Sequence, residues 1–401
     1  MLKKQLAYKK SIIKHLYFSG ALSSGELSER VGKSLPLVTR VLNGLIEEGS
    51  VIDTGLAPST GGRRRSMYAL KPDVMYVVSV AMDQFITRIA IIDMQNRPVG
   101  DIEKFDLSLD KNPGALSRLT EKIGQVIHSS GIPLEKIVGI GIGMPGFVDA
   151  LKGVNYSFLE IPDDSIIEYV GSKLHLPVFI DNDSSLIALA ELRFGAARSK
   201  RSAMVINIGW GIGLGLILSG ELFRGNNGFA GEFSHLPLFS NNKLCSCGKS
   251  GCLETEASLR VVIDKVMEEV KRGEITMLSH LPMESVDQAA IEIITAARKG
   301  DRLAVRLLSE AGYNIGRGVA ILIHLLNPEV IVLSGRGSLA GKIWQAPIQQ
   351  ALNEHCIPRL ASGSEIVLSA LGYSAEIIGA AALVMENYER EPKRKKIFTP
   401  Y

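Results

Sequence analysis

The chain has 401 residues, of which 46% are hydrophobic, with a formal net charge of +3 and four cysteines. This length is sufficient for two or three domains with buried cores, and the composition is that of a globular protein. No apolar run is long enough for a membrane span, and the basic N-terminus lacks the apolar region of a signal peptide. We therefore expect a cytoplasmic protein that has no membrane contact.

The charge is distributed unevenly along the chain. Residues 1–70 contain 11 Lys and Arg against 5 Asp and Glu, so this segment carries +6 and the remainder carries −3. A basic segment beside a mildly acidic body indicates an anionic partner for the first segment alone. Three helices are predicted in it: one ends at Gly20, one begins after Ser23 or Ser24 and ends at Gly32, and one begins near Pro36.

The third helix has an apolar face and a face of polar groups that can reach base edges and phosphates. Two predicted strands, 49–53 and 66–70, then flank a loop with three successive arginines, which suit the DNA backbone or minor groove. This pattern predicts a winged helix-turn-helix domain over residues 1–72 for duplex DNA; the alternative is a small protein-binding module. The predicted DNA contacts are Lys33, Ser34, Thr39, Arg40, Asn43, Arg63, Arg64 and Arg65.

After residue 72, strands alternate with helices, which is typical of an α/β fold. Each half of this body opens with a predicted hairpin, and the second hairpin contains a glycine-rich turn, Gly209–Gly215. The repetition predicts two lobes of similar architecture with a cleft between them. The predicted extents are 73–195 plus a C-terminal helix at about 376–390 for the small lobe, 196–375 for the large lobe, and 391–401 for a solvated basic tail.

A metal-binding pattern lies in the second half. Cys245, Cys247 and Cys252 are separated by one and four residues, and His235 lies ten positions before the first cysteine. Thiolates and imidazole are the ligands that Zn²⁺ prefers, and Gly248 permits the tight turn of a small thiolate knuckle. Nothing else in the chain indicates an oxidising compartment, so we predict a structural zinc in preference to disulfides or simply buried cysteines. Its predicted ligands are His235, Cys245, Cys247 and Cys252.

Together these features resemble the ROK family (repressors, open reading frames, kinases), in particular its sugar-responsive transcriptional repressors. Besides the winged helix, the motifs are P-G-F-V-D, N-D-x-S, G-x-G-I-G-x-G, G-E-x-x-H, C-x-C-G-x-x-G-C-x-E and N-P-E-V-I-V-L-S-G. The resemblance covers nearly the whole chain. It implies an actin-like, hexokinase-like pair of lobes with a sugar between them, assembled as a homodimer or homotetramer.

The resemblance also implies which residues contact the sugar. In the family's kinases the aspartate of N-D takes the proton from a sugar hydroxyl, and here that position is Asp183. Independently of the family, carboxylates accept two hydrogen bonds from vicinal hydroxyls and can thereby distinguish epimers. The implied sugar contacts are Gly146, Asn182, Asp183, Glu232, His235 and Glu254.

The chain departs from the kinases of the family at both phosphate loops. The first loop, D-x-G-G-T in those kinases, corresponds to Ser79–Phe85, which contains no glycine to bring backbone N–H groups to a phosphate. The second loop carries Trp210 in place of threonine. Since phosphoryl transfer depends on positioning and charge stabilisation, we expect no enzyme activity and no ATP cofactor, with Asp183 a vestigial base position.

The sequence therefore predicts a transcriptional repressor of carbohydrate-utilisation genes. It would bind a duplex DNA operator and would be controlled by a sugar or sugar phosphate in the interlobe cleft. Two alternatives stay open at this point: an active ATP-dependent sugar kinase, and a repressor that is sequestered by a protein partner.

Overall fold

The structure is a computed structural model that describes residues 2–57, 64–159, 165–281 and 285–390. Arg63 and the tail 391–401, which enter the sequence predictions, lie outside these residues. The chain divides into two compact units. Unit 1 comprises residues 1–146, 150–181 and 380–401, and unit 2 comprises residues 147–149 and 182–379.

Helices and strands alternate along most of the described chain. The helices are α1 (Leu2–Ser19), α2 (Ser24–Val31), α3 (Leu35–Glu47), α4 (Ala115–Ser129), α5 (Ile166–Leu174), α6 (Asp183–Phe194), α7 (Glu254–Ala257), α8 (Leu259–Lys271), α9 (Val286–Arg298), α10 (Arg302–Leu326), α11 (Lys342–His355), α12 (Pro358–Ala361) and α13 (Ala375–Glu386). Within the described ranges, none of the helices has both the length and the apolar composition of a membrane span.

The strands are mostly short. They are β1 (Leu22–Ser23), β2 (Val51–Leu56), β3 (Ser66–Leu70), β4 (Tyr76–Met82), β5 (Ile86–Ile92), β6 (Glu103–Asp106), β7 (Ile137–Met144), β8 (Val148–Asp149), β9 (Val154–Asn155), β10 (Val178–Asn182), β11 (Ala203–Ile208), β12 (Ile212–Leu218), β13 (Glu221–Phe223), β14 (Val330–Ser334) and β15 (Glu365–Leu368).

The N-terminal part of unit 1 is a winged helix-turn-helix. Ser23 caps α2 in a capping box: its Oγ accepts the Glu26 N–H at 3.3 Å, and the Glu26 carboxylate accepts the Ser23 N–H at 2.8 Å. The wing is a three-stranded sheet in the order β1-β3-β2. Its first long strand begins at Val51, two residues later than predicted, because Gly49 at φ 73° still belongs to the turn after α3.

Each unit contains a five-stranded sheet, and the two sheets have the same strand order. The order is β6-β5-β4-β7-β10 in unit 1 and β13-β12-β11-β14-β15 in unit 2. In both sheets three consecutive strands form an antiparallel meander, and the first of them pairs in parallel with the fourth strand. This repeat confirms the predicted α/β fold class, a winged helix followed by two actin-like, hexokinase-like halves.

The predicted glycine-rich turn Gly209–Gly215 is wrong in its second half. Only its first three residues form a turn, and β12 follows at once. A Cβ at Gly213 would lie 1.8 Å from Ser184 Oγ, and a Cβ at Gly215 would lie 2.2 Å from Ala188 Cβ. The two glycines are therefore strand residues that allow α6 to lie directly on β12.

Because of this packing, α6 belongs to unit 2, whose main segment begins at residue 182, whereas the predicted boundary lies after residue 195. The predicted lobe extents otherwise stay predictions. Small and branched apolar side chains of α6 join those of the sheet in one buried cluster. This cluster includes Ile187, Ala188, Ala190, Leu192, Val205, Ile217, Val330 and Val332.

Gly215→Ala tests how closely α6 and β12 must approach. Since the added methyl would overlap Ala188, we expect the free energy of unfolding of unit 2 to fall by about 1–3 kcal/mol. Urea denaturation followed by tryptophan fluorescence measures this change, because Trp210 and Trp344 both lie in unit 2. Gly363→Ala is the matched control, since its Cβ would meet no atom closer than 3.5 Å. Equal unfolding midpoints for the two variants would contradict the close packing.

Candidate functional site

Glu232 and Glu254 are distant in sequence from β12 but lie close to its first residues in unit 2. The Glu254 carboxylate, on α7, accepts a hydrogen bond from the N–H of Ile212. Glu232 follows Gly231, where an added Cβ would lie 2.4 Å from a carbonyl oxygen of β12. Burial raises the pKa of the Glu232 carboxyl, Glu254 adds to this rise, and His235 opposes it. Burial also raises the pKa of Glu254, which is half-buried, whereas 44% of the Glu232 side chain is exposed.

Asp183 is held at the N-terminus of α6 by Ser184 and Asn207. Asn182 caps the helix, with its Oδ1 accepting the N–H groups of Ser184 and Ser185 at 2.9 and 3.2 Å. Asp183 Oδ1 accepts the Ser184 N–H at 2.7 Å, and its Oδ2 accepts the side-chain amide of Asn207 at 3.3 Å. Asn207, on β11, was not predicted from the sequence, since an Asn within a buried strand carries no motif.

Asp183 and the two glutamates meet the same few residues of one strand. Asn207, which donates to Asp183, is paired with Gly213 in the β11–β12 ladder. The neighbouring residue of β12, Ile212, donates its N–H to Glu254. Asp183 and Glu254 therefore bind adjacent positions of the same hairpin. We call Asp183, Glu232 and Glu254 the acidic corner. Acceptors grouped in this way suit a ligand with several hydroxyl donors.

Gly146, the remaining predicted sugar contact, lies in unit 1. Its φ is 87°, and an added Cβ would lie 2.5 Å from the Cβ of Ser157. A glycine is therefore required there by the backbone of unit 1 itself. Its contact with a sugar, and the position of that sugar between two lobes, stay predictions.

The four predicted metal ligands are brought together in unit 2. Their ligand atoms all lie within 4.8 Å of one another. Cys245 Sγ lies 3.5 Å from His235 Nδ1, and Cys247 Sγ lies 3.7 Å from Cys252 Sγ. Four ligands at about 2.0–2.3 Å from one ion would be separated by about 3.5–3.7 Å in a tetrahedron. The group can therefore hold a metal ion.

The backbone of the knuckle favours this arrangement. Cys245 N–H donates to the Lys249 carbonyl at 2.8 Å, and Gly248, at φ 81°, donates to the Cys245 carbonyl at 2.9 Å. The Lys249 N–H lowers the pKa of the Cys247 thiol, which favours the thiolate. Burial raises the pKa of the Cys252 thiol, and a bound cation would oppose that rise.

Side chains that were not predicted from the sequence also fix the segment that carries the metal ligands. Glu256, which is buried, accepts the Asn241 amide at 2.7 Å and pairs with Lys243 at 2.6 Å. On α10, the Arg317 guanidinium donates to the Leu238 carbonyl at 3.3 Å. The sequence alone could not identify these contacts, because each depends on two residues that only the fold brings together.

His235 links the metal cluster to the acidic corner. Its Nδ1 faces Cys245, and its Nε2 lies 3.7 Å from a Glu232 carboxylate oxygen. Fixing one ring nitrogen fixes the direction of the other. A metal ion in the cluster would therefore orient His235 towards Glu232.

Trp210, in the second predicted phosphate loop, lies against a buried charged group. The Arg336 guanidinium carbon is 4.3 Å from the Trp210 ring centroid and 4.7 Å from that of Tyr373. Arg336 also forms an ion pair with Asp287 on α9, and only 5% of either side chain is exposed. Side chains of the protein therefore cover one face of this loop.

The first predicted phosphate loop, in unit 1, is closed by its own aspartate. Asp83 Oδ1 accepts the N–H groups of Phe85 and Ile86, both at 2.8 Å. These are the backbone donors that a phosphate loop would direct at its ligand. The Asp83 carboxylate therefore already engages two backbone donors of this loop.

The described DNA-contact candidates lie on the winged helix. α3 buries Val38, Val41, Leu42 and Leu45. Its opposite face exposes Arg40 and Asn43, with Thr39 half-buried, and Lys33 and Ser34 are exposed just before the helix. Arg64 and Arg65 are exposed at the base of the wing.

Comparison with known proteins identifies the family to which this chain belongs. Residues 111–387 match the ROK family, and the chain belongs to that family. The chain is similar to the xylose repressor of Caldicellulosiruptor bescii, with 28% identity over 383 residues that cover 94% of each chain.

Two solved structures are also similar. One is a ROK family transcriptional regulator, a homolog of the E. coli MLC protein, with a TM-score of 0.77, 25% identity, and 96% of this chain and 97% of that chain covered. The other is a ROK family glucokinase from Streptomyces griseus in complex with glucose and AMPPNP, with a TM-score of 0.66, 26% identity, and 77% and 98% covered.

Asp287→Ala tests the buried ion pair beside Trp210. We expect the free energy of unfolding to fall by about 3–5 kcal/mol, because the variant leaves the Arg336 guanidinium buried without its counter-ion. Urea denaturation followed by tryptophan fluorescence measures the loss. Glu268→Ala is the control: its pair with Arg272, at 2.8 Å, is mostly exposed and should contribute about 0–1 kcal/mol. If both variants lose a similar free energy of unfolding, the buried pair does not stabilise the protein more than the exposed pair does.

Proposed function

We propose that the protein is a DNA-binding transcriptional repressor of carbohydrate-utilisation genes, controlled by a sugar or sugar phosphate. One observation carries the proposal: the acidic corner offers acceptors for sugar hydroxyls, whereas the Asp83 carboxylate accepts backbone N–H groups of the first phosphate loop and Arg336 covers one face of the second. The similarity to a xylose repressor along 94% of the chain supports the same function.

The winged helix supplies the operator contacts in this proposal. α3 presents Arg40 and Asn43 to base edges, and Lys33, Arg64 and Arg65 neutralise phosphates. A symmetric homodimer or homotetramer would present paired winged helices to paired half-sites. A sugar that binds one conformation better than another shifts the equilibrium, and the helices then no longer match the half-site spacing.

Zinc is the metal that we propose for the cluster of His235 and three cysteines. Three thiolates and one imidazole form a closed tetrahedral set, which is typical of a structural site. Its contribution to sugar binding would be indirect, through the orientation of His235 and of the two glutamates on either side of the ligands.

Two other functions would leave different signatures. A sugar kinase is disfavoured by the Asp83 carboxylate on the first loop and by the Arg336 group on the second. An ADP-release assay with a panel of sugars would distinguish a kinase from a regulator. A repressor sequestered by a protein partner would instead bind DNA in a sugar-insensitive way, and its partner would relieve repression.

The sugar response is tested by operator binding with and without monosaccharides. We expect the effective sugar to weaken operator affinity by about 5- to 150-fold. Asp183→Ala and Glu232→Ala should abolish this response and leave sugar-free operator affinity unchanged, since each removes an acceptor for sugar hydroxyls. Asp264→Ala, an exposed acid of unit 2 on α8, is the control and should respond as the unmodified protein does. A normal response in Asp183→Ala would refute the site assignment.

The zinc site is tested by elemental analysis of the purified protein. We expect one zinc per chain, and we expect it to be lost in Cys245→Ala because three ligands hold the ion less tightly than four. Cys356→Ala, which removes the buried cysteine outside the cluster, should retain the metal. The Cys245→Ala protein should also lose its sugar response while still binding the operator. Retention of both zinc and sugar response in this variant would contradict the proposal.

A further inference from the structure

An apolar side chain lies exposed at the first position of α3, the helix that the proposed function places on the operator. Leu35 begins this helix and is 47% exposed. Val38 and Leu42, three and seven positions later on the same side of the helix, are 2% and 1% exposed. Leu35 therefore continues the line of core positions one turn beyond the core, where the winged helix covers it only in part.

The backbone around Leu35 fixes the place of its side chain. Gly32 ends α2 in the left-handed region at φ 62°, and the Lys33 N–H donates to the Ser28 carbonyl at 3.1 Å. Pro36 occupies the second position of α3, where the helix has no partner for an N–H group. Because Cα–Cβ bonds tilt towards the N-terminus of a helix, the Leu35 side chain projects past the first turn.

The groups around Leu35 are typical of a surface that contacts DNA. Lys33 is exposed two positions before it, and Arg40 is exposed on the next turn of the helix. The Lys33 ammonium lies 5.8 Å from the ring centroid of Tyr8 on α1. Residues 1–70 carry +6, from 11 Lys and Arg against 5 Asp and Glu. This charge favours a nucleic acid over a protein as the molecule that covers the leucine.

The chemistry of leucine restricts which base it can recognise. In the major groove all four bases present hydrogen-bonding groups, but thymine alone also presents an apolar 5-methyl group. A leucine side chain has no donor or acceptor, so its favourable contact with a base edge is the burial of that methyl group. Residues at the N-terminal end of the recognition helix are those that contact base edges in helix-turn-helix domains.

We propose that Leu35 packs on the 5-methyl group of one thymine in each operator half-site and thereby selects thymine at that position. This inference rests on the proposed function, namely that α3 reads an operator. The contact adds an apolar element to a surface whose other groups are polar or charged. Loss of one buried methyl group should weaken operator binding about fourfold per half-site.

The experiment measures the contribution of the thymine methyl group to binding by the full-length protein. Operator sites are first obtained by selection from a random duplex library without sugar. Each thymine of a selected site is then replaced by deoxyuridine, which removes the methyl group and keeps every hydrogen-bonding group. Fluorescence anisotropy gives the Kd of each duplex. We expect one position per half-site at which the replacement weakens binding about fourfold.

Three variants assign this effect to one side chain. Leu35→Ala should bind thymine and deoxyuridine at that position equally well, and alanine keeps the helix stable. Leu134→Ala is the matched control, because Leu134 is 41% exposed in unit 1 outside the winged helix, and it should retain the full difference. Arg64→Ala should weaken binding to both duplexes by the same factor, since a phosphate contact carries no base information.

The outcomes distinguish this inference from the proposed function. If Leu35→Ala loses as much affinity on deoxyuridine replacement as the unmodified protein does, the inference is overturned while operator binding stands. A selected site in which no thymine responds to the replacement also overturns it. If Leu35→Ala alters the oligomeric state in light scattering and keeps the deoxyuridine effect, the leucine is a subunit contact and the inference is again wrong. If no duplex is selected, the inference and the proposed function both fail.

Discussion

The close packing of α6 on β12 is the constraint on which unit 2 depends. Gly213 and Gly215 have no side chain, so the helix lies against the strand and its first residue, Asp183, comes within hydrogen-bond reach of Asn207. The same strand receives the Glu254 carboxylate at Ile212. One helix–strand contact therefore fixes the core of this unit and the position of the acids at its edge.

Elements with strong end signals could be predicted from the sequence alone. α5 and α10 are examples, because Ser165 caps the first and Asn327, in the left-handed region, ends the second. α11 and β15 carry weaker signals. Pro347 inside α11 argues against a helix locally, yet its ring packs beside Gly312 on α10, and β15 is a four-residue edge strand with little periodicity.

The residues of the candidate site also fall into those that the sequence could predict and those that it could not. The spacing of the cysteines is a local pattern, and their convergence with His235 could be predicted from the turns that the glycines permit. Asn207, Glu256 and the Arg336–Asp287 pair act through partners between about 15 and 50 positions away, so only the fold reveals them. Sequence reasoning identified the lost phosphate loops by what was missing, whereas the structure identifies what replaced them.

That replacement has an energetic consequence. In a sugar kinase, part of the binding energy of the sugar is used to position it for phosphoryl transfer. Here the Asp83 carboxylate accepts two N–H groups of one loop, and the Arg336 guanidinium stacks on Trp210 in the other. In the proposed regulator no reaction is driven, so the whole difference in sugar affinity between two conformations would be available to shift their populations. The same acidic corner that would serve catalysis in a kinase can thus serve control of DNA binding.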